Sequence, residues 1–411
     1  MNAVARPTPR LLKALLVEGI HPGAKEALAA EGIAVTMMAG SPPPSELIKL
    51  VADYDLLGLR SKTQVTAEVI AAAPHLLSIG CFCIGTNQVD GVAANVAGIP
   101  VFNAPFSNTR SVAELIIAEV IVLARQLGDR SREVHEGKWQ KKATNCHEIR
   151  GKTIGIVGYG HIGSQVGVLA EAMGMRVVFF DVSKKLPMGN NRPAATLRDL
   201  LEVADYVTLH VPATPQTKNL IGADELARMK EGSYLLNASR GSVVVIPALA
   251  SVLHSGHLAG AAVDVYPEEP EANGQPFDSE LRGLPNVILT PHIGGSTEEA
   301  QESIGREVSE SLARFVGIGA TTRSVNFPHV EVTLDEGKHR LLNVHRNVPG
   351  VLRDINKIVS DLNANITTQV LSTDATIGYL VMDLDDDVSQ DVCDRMTDLP
   401  TSIRTRRIVG R

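Results

Sequence analysis

The strongest constraint in this chain is local. The apolar run Thr153–Val157 passes directly into Gly158-Tyr-Gly160-His-Ile-Gly163, and the helical pattern SQVGVLAEAMG follows without a gap. Glycines at that spacing between a strand and a helix allow a tight turn and leave a backbone without Cβ atoms. An anion can then approach the unpaired N–H groups and the positive dipole end of the helix. The next apolar run, VVFFD, ends on Asp181, eighteen residues after Gly163. A carboxylate at that point accepts hydrogen bonds from both ribose hydroxyls and repels a 2′-phosphate. The pattern therefore predicts a dinucleotide with its pyrophosphate on Gly158, Gly160 and Gly163, and NAD in preference to NADP.

Strand-helix alternation extends well beyond this unit. LLKALLV, GIAVTMM, LLGLR, LLSIGCF and IPVF are expected strands of a first parallel sheet; KTIGIVGYG, RVVFFD, DYVTLHVP, SYLLNAS, LAGAAVDV and NVILTPH are six strands of a second, doubly wound one. Between them, residues 107–124 carry apolar side chains at helical spacing almost all round, which predicts a long buried helix with Ser111-x-x-Glu114 as its capping box. Residues 338–409 read strand, helix, strand, strand, helix, strand, the ferredoxin-like βαββαβ order. The segment 317–328 has the Gly/Thr/Pro composition of a linker.

Composition narrows the partners. The net charge of −7 is accompanied by no basic block, so nucleic acid is not an expected partner. No apolar run reaches the ~20 residues that cross a bilayer, and the stretch 11–17 behind Arg6 and Arg10 lacks the features of a secretory signal, so no membrane association is expected. Four cysteines, Cys81, Cys83, Cys146 and Cys393, form neither a disulfide scaffold nor a zinc-site spacing, and a reducing cytoplasm is the expected location. The acidic run Asp383, Asp385, Asp386 and Asp387 reads as a solvated turn, and no metal is expected.

The carboxyl ends of the second set of strands form a chemical series: Asp181, His210, Arg240, Asp264 and His292. Ligands of doubly wound sheets lie outside those ends, so these side chains share one crevice. Removing a hydride from a carbon that bears a hydroxyl also requires the hydroxyl proton to leave. His292, which titrates near neutrality, is the natural base. Glu269 is suited to orient it, and the forked guanidinium of Arg240 is suited to a substrate carboxylate. His210 is read as structural. Arg60, Ser61 and Lys62 end one strand and Asn108, Thr109 and Arg110 open the long helix, so both groups are candidates for a substrate phosphate, with surface ion pairing as the alternative for the two arginines.

GYGHIG, NASRGS, DVYPEEP and LTPHIGGS together resemble the D-2-hydroxyacid dehydrogenase family, in its order and essentially end to end. The resemblance implies a flavodoxin-like substrate domain of residues 1–107 and 296–335, a Rossmann NAD-binding domain of residues 108–295, and a hinge where the chain crosses between them at Gly294-Gly295. It implies catalysis by Arg240, Glu269 and His292, and NAD contacts from His161, Ile162, Asp181, Ala238, Ser239, Arg240, Asp264, His292, Ile293, Gly294 and Gly295. GCFCIGTNQVD and NAPFSNTRSVAEL are closest to the branch acting on 3-phosphoglycerate, with Arg60, Ser61, Ile84, Gly85, Asn108 and Arg240 at the substrate. Rival readings are a reductase of 2-oxo acids such as 2-oxoglutarate or glyoxylate, and an NAD-sensing binding protein. Residues 336–411 resemble an ACT domain, which implies L-serine as feedback effector at His345, Asn347 and Asn365, and a homotetramer. Trp139 in a polar stretch is assigned to an interface rather than to packing under a loop.

Overall fold

In the computed structural model, strands β1 (Lys13–Leu16), β2 (Ala34–Met37), β3 (Leu56–Leu59), β4 (Ser78–Cys81) and β5 (Val101–Asn103) form a parallel sheet in the order β2-β1-β3-β4-β5. The structure describes residues 11–270, 274–335, 338–384 and 388–409. All four residues of β3 and of β4 are buried, as expected of parallel strands covered on both faces. The order is the flavodoxin-like one, and the loops after β1 and β3 meet at the point where it reverses. The chain divides into two units: residues 1–107 with 301–411, and residues 108–300.

The second unit is built on β6 (Thr153–Val157), β7 (Arg176–Phe180), β8 (Arg192–Pro193), β9 (Tyr206–Leu209), β10 (Ser233–Asn237), β11 (Leu258–Val263) and β12 (Val287–Leu289). All are parallel, in the order β12-β11-β10-β9-β6-β7-β8. Strand β8 is the addition to the six expected; at two residues it is too short to leave a periodic signal. The long helix, Thr109–Arg125, packs Val112, Ile116, Val120 and Leu123 on the sheet face that carries Leu236 and Ala262. It starts two residues before Ser111, so the expected capping box does not form. Instead the Ser111 hydroxyl meets that of Thr297 at 2.8 Å, and Glu114 takes the exposed Arg110 at 2.5 Å. Trp139 lies beyond the helix Leu127–His135 and is 85% exposed in the single chain.

The C-terminal part of the first unit comprises β13 (His339–Arg346), β14 (Ile366–Thr373), β15 (Ile377–Leu384) and β16 (Ser402–Val409), antiparallel in the order β14-β15-β13-β16, with helices Val351–Asp361 and Ser389–Thr397. Alternation along the strands sends Leu341, Leu380 and Met382 to these helices, while Leu342, Val344, Tyr379 and Val381 join Phe102, Leu312 and Phe315 in the core of the first sheet. Three side chains of this sheet also satisfy carbonyls at the end of the helix Glu298–Ile318: Arg406 donates to Phe315 O, Arg340 to Ile318 O and the Tyr379 hydroxyl to Gly319 O. Residues 317–328 are therefore no free linker. Thr321, Ser324 and Phe327 are buried, and Val101 N–H donates to the Asn326 side chain. Asp383 likewise belongs to no solvated turn: it forms a buried bidentate pair with Arg340 at 2.6 and 2.7 Å. Asp385, Asp386 and Asp387, like Arg6 and Arg10, lie outside the described residues.

Candidate active site

The glycine turn follows β6, whose neighbours are β7 and β9, so it stands where the strand order of the second sheet reverses. Each glycine is constrained differently. Gly158 has φ +92°, and a Cβ there would lie 2.4 Å from the His210 carbonyl oxygen; one on Gly163 would lie 2.1 Å from Gly158 O. A Cβ on Gly160 would meet nothing within 4 Å, and Gly160 caps the helix His161–Ala172 without any side-chain hydrogen bond. The start of the helix at His161 and Ile162 therefore has room beside Gly160, and a helix N-terminus with such room fits a pyrophosphate. Asp181 accepts the N–H of Tyr159 at 2.9 Å and both the N–H and hydroxyl of Ser183. Burial opposes its ionisation, but these bonds outweigh it and hold the carboxyl below its ordinary range. It is an anion fixed beside the turn, as a ribose partner must be.

The loop after β10 owes its shape to Asn237, which the sequence reading passed over. Its side-chain oxygen accepts from Ser239 N–H and hydroxyl, and its amide donates to Arg240 O. Gly241 then runs against Tyr266 and Pro267 so closely that a Cβ would lie 1.9 Å from the Tyr266 carbonyl carbon. This contact brings Arg240 alongside the segment that carries Glu269. The charge of Arg240 bears on both Glu269 and His292.

His292 follows β12 with φ +55°, a left-handed conformation rare for a side chain of this size. The turn is held by Asp264. Its backbone oxygen accepts His292 N–H, and its carboxylate accepts the Thr290 hydroxyl and the N–H groups of Ile293 and Gly294, at 2.6 to 2.8 Å. The imidazole Nδ1 donates to Glu269 at 2.8 Å, while the other Glu269 oxygen takes Tyr266 N–H. Because Nδ1 is engaged by a carboxylate, Nε2 is the free nitrogen, and the side chain is half exposed. The bond to Glu269 raises the His292 pKa against the opposing effect of burial. Glu269 is held low: burial raises it, but the bonds from His292 and Tyr266 prevail. His210 is partly buried, bonded to the Thr208 hydroxyl, and lowered by desolvation to about 3, so it stays neutral and structural.

In the first unit, Glu18 at the end of β1 accepts the N–H groups of Arg60, Lys62 and Thr63, which fixes the loop after β3. Gln88 donates to Arg60 O and Gly85 O, and Asn103 to Ile84 O, so the loops that carry Arg60, Ser61, Ile84 and Gly85 are tied together. Cys83 Sγ is turned to Gly85 O and Cys81 is buried; both pack in the core on this face of the sheet. In the second unit Asn108 is buried at the start of the long helix, against Gly295, with its side-chain oxygen unpaired. Glu18, Gln88 and Asn237 were invisible to motif reading because their partners are backbone groups set by the fold.

His345 and Asn347 stand at one end of the C-terminal sheet. The imidazole bonds Asn343 at 3.0 Å, and the Asn347 amide donates to Asp374 O at 2.7 Å. Asn365 precedes Ile366, which pairs with Leu384 opposite His339, so within one chain it lies at the other end. The separation is six residues of strand, about 20 Å at ~3.3 Å per residue.

Residues 117–294 match the NAD binding domain of D-isomer specific 2-hydroxyacid dehydrogenases, and residues 341–404 match an ACT domain like that of the AHAS small subunit. The chain is 55% identical over 395 residues to the D-3-phosphoglycerate dehydrogenase of Dictyostelium discoideum, covering 96% of this chain and 97% of that one. It is 51% identical over 398 residues to the protein of the same name from Escherichia coli strain K12, with the same coverage. Among solved structures, the NAD-dependent formate dehydrogenase of Staphylococcus aureus in complex with NAD aligns with a TM-score of 0.64 at 30% identity, over 75% of this chain and 96% of that one. The chain belongs to the D-isomer specific 2-hydroxyacid dehydrogenases: it is an NAD-binding oxidoreductase that carries an ACT domain. Within that family, the relatives that share half of its residues are D-3-phosphoglycerate dehydrogenases. Among the described residues no helix is long and apolar enough to cross a membrane.

Proposed function

We propose that this chain oxidises the C2 hydroxyl of 3-phospho-D-glycerate to 3-phosphohydroxypyruvate, the first step of L-serine synthesis. Bound NAD+ supplies the hydride acceptor. His292 Nε2 takes the hydroxyl proton, Glu269 orients the ring and stabilises its cationic form, and Arg240 holds the substrate carboxylate and polarises the C2 oxygen. The dinucleotide rests on Gly158, Gly160, His161, Ile162 and Gly163, with its ribose on Asp181. Along the same edge, Ala238, Ser239, Arg240 and the turn His292–Gly295, anchored by Asp264, line the nicotinamide end. Arg60, Ser61, the Ile84 and Gly85 N–H groups and Asn108 are assigned to the substrate's acidic groups. For Arg60 this is supported by its guanidinium having no carboxylate partner among the described residues, whereas the Arg110 guanidinium is paired with Glu114. The domains are assigned as residues 1–107 with 296–335, 108–295 and 336–411.

The carrying observation is the 2.8 Å His292–Glu269 bond beside Arg240 on the carboxyl edge that also bears the glycine turn. L-serine is assigned as effector. Because Asn365 lies at the far end of the sheet from His345 and Asn347, the site is completed between two copies of the chain, which with the exposed Trp139 supports a homotetramer. The four free cysteines suit a reducing cytoplasm. The test is NADH production from 3-phosphoglycerate, D-glycerate and 2-hydroxyglutarate, with and without L-serine. The phosphorylated acid is expected to have the highest kcat/KM. Preference for 2-hydroxyglutarate would support the 2-oxo acid reductase instead, and no NADH from any acid would support an NAD-sensing protein.

A further inference from the structure

The long helix carries one group that the reaction above leaves unused. Its buried face, Val112, Ala113, Ile116, Val120, Leu123 and Ala124, is apolar except for Glu119, which is 4% exposed. One Glu119 oxygen is fully buried with no hydrogen-bond partner. Val112 and Leu115 lie on the same helical stripe, seven and four residues earlier, and their side chains would meet a Cβ on Gly294 at 3.6 and 3.8 Å. Gly294 in turn is bonded to the Asp264 carboxylate. On the sheet side, Ala262 packs in the cluster with this helix, and Asp264, two residues on, is directed to the same face. The helix thus presents a second carboxyl behind the one that anchors the His292–Gly295 turn.

We propose that Glu119 is a positioning residue for the cofactor's redox state: by holding or releasing one proton behind Asp264, it sets the preference of the site for oxidised over reduced nicotinamide. The inference rests on the NAD docking proposed above. Two carboxyls in one apolar pocket do not both ionise readily. The Asp264 carboxylate accepts three hydrogen bonds, whereas among the described residues none is donated to the buried Glu119 oxygen, so Glu119 is the one of the two that favours its proton. Burial first, and then the charge of Asp264, raise Glu119 to about 8.

Few other charges reach it. Tyr266, beyond β11, feels Glu119 but stays neutral. Strand β12 brings no titratable side chain, and burial raises the Tyr234 hydroxyl of β10, so it too stays neutral. The helix Leu127–His135 pairs its own arginines with Glu133 and Asp129, and Glu171 of the helix after the glycine turn is bonded to Asn190. The oxidised nicotinamide ring carries a positive charge that NADH lacks. Ionised Glu119 therefore favours NAD+, and by linkage NAD+ lowers the Glu119 pKa relative to NADH.

The test is the ratio Kd(NADH)/Kd(NAD+), measured by NADH fluorescence with NAD+ competition from pH 6.5 to 9.5, on the full chain and on E119Q. The ratio is expected to rise about tenfold between pH 7 and 9 in the wild type, the equivalent of about one pKa unit between the two complexes. In E119Q only the contribution of His292, common to both proteins, should remain. Identical curves for the two proteins, or a flat wild-type ratio, would overturn the role of Glu119. Failure of the wild type to bind NAD+ at any pH would overturn the docking itself, a separate result. Should E119Q not fold, the protonated-carboxyl band in infrared spectra of the wild type at pH 8 serves instead. It should be weaker in the NAD+ complex than in the NADH complex, and equal bands would reject the proposal.

Discussion

His292 is held in a left-handed conformation by its own N–H bond to Asp264 O, and its ring by Glu269. That pairing has a definite sign in pH. The bond to Glu269 raises the imidazole pKa, so the neutral base needed for oxidation accumulates as pH rises through the raised value, and oxidation should improve over the same interval. The stabilisation that the charged pair gives the fold is present below the unfolded histidine pKa and is lost as pH passes through the folded one. E269Q removes the raising partner, so the acidic limb of the kcat/KM profile for oxidation should move to lower pH while its plateau falls; an unmoved limb would mean that Glu269 does not set the base. At Asp181, D181A should narrow the NAD over NADP preference in kcat/KM by roughly tenfold or more, since the like charge that rejects a 2′-phosphate is gone. Both residues were legible in the sequence because each ends a strand in a recognisable phrase. Asn237 and Glu119 were not: one acts on backbone groups, and the other sits inside a run that reads as an ordinary apolar helix face.

At the scale of elements, the glycine turn was the most legible feature because its causes are local: strand, tight turn, helix start and strand-end acid all lie within 29 residues. Where the cause is distant, reading by composition failed. Residues 317–328 look like a linker until β5 and β13 to β16 are packed around them, and Asp383 looks solvated until Arg340, 43 residues earlier, is brought across the β13–β15 register. That pair also yields a stability prediction. R340M leaves a buried carboxylate unpaired and should cost about 3–5 kcal/mol, read as a lower urea midpoint, whereas R340M with D383L should recover much of the loss. A double variant as unstable as the single one would mean that the lost bonds to Thr333 O and Ile318 O matter more than the unpaired charge.

For the whole molecule, the ferredoxin-like order of the C-terminal region was legible from alternating strand and helix patterns, but the placement of Asn365 was not, since only the antiparallel register assigns it to the opposite end of the sheet from His345. If the serine site is shared between copies, H345A and N365A should each abolish serine inhibition alone. Co-expressing the two variants should restore part of it, because mixed pairs contain one intact site. No restoration in mixed assemblies would place all three groups within one chain.

The central claim is that Arg240, Glu269 and His292 act beside a dinucleotide docked on the glycine turn. Its most direct test measures two quantities on one variant, H292A: turnover of 3-phosphoglycerate with NAD+, and the Kd for NAD+. Turnover is predicted to fall by roughly 10³-fold, within the range that a positioned proton acceptor contributes, while NAD+ binds as it does to the wild type. Turnover close to that of the wild type would contradict the account.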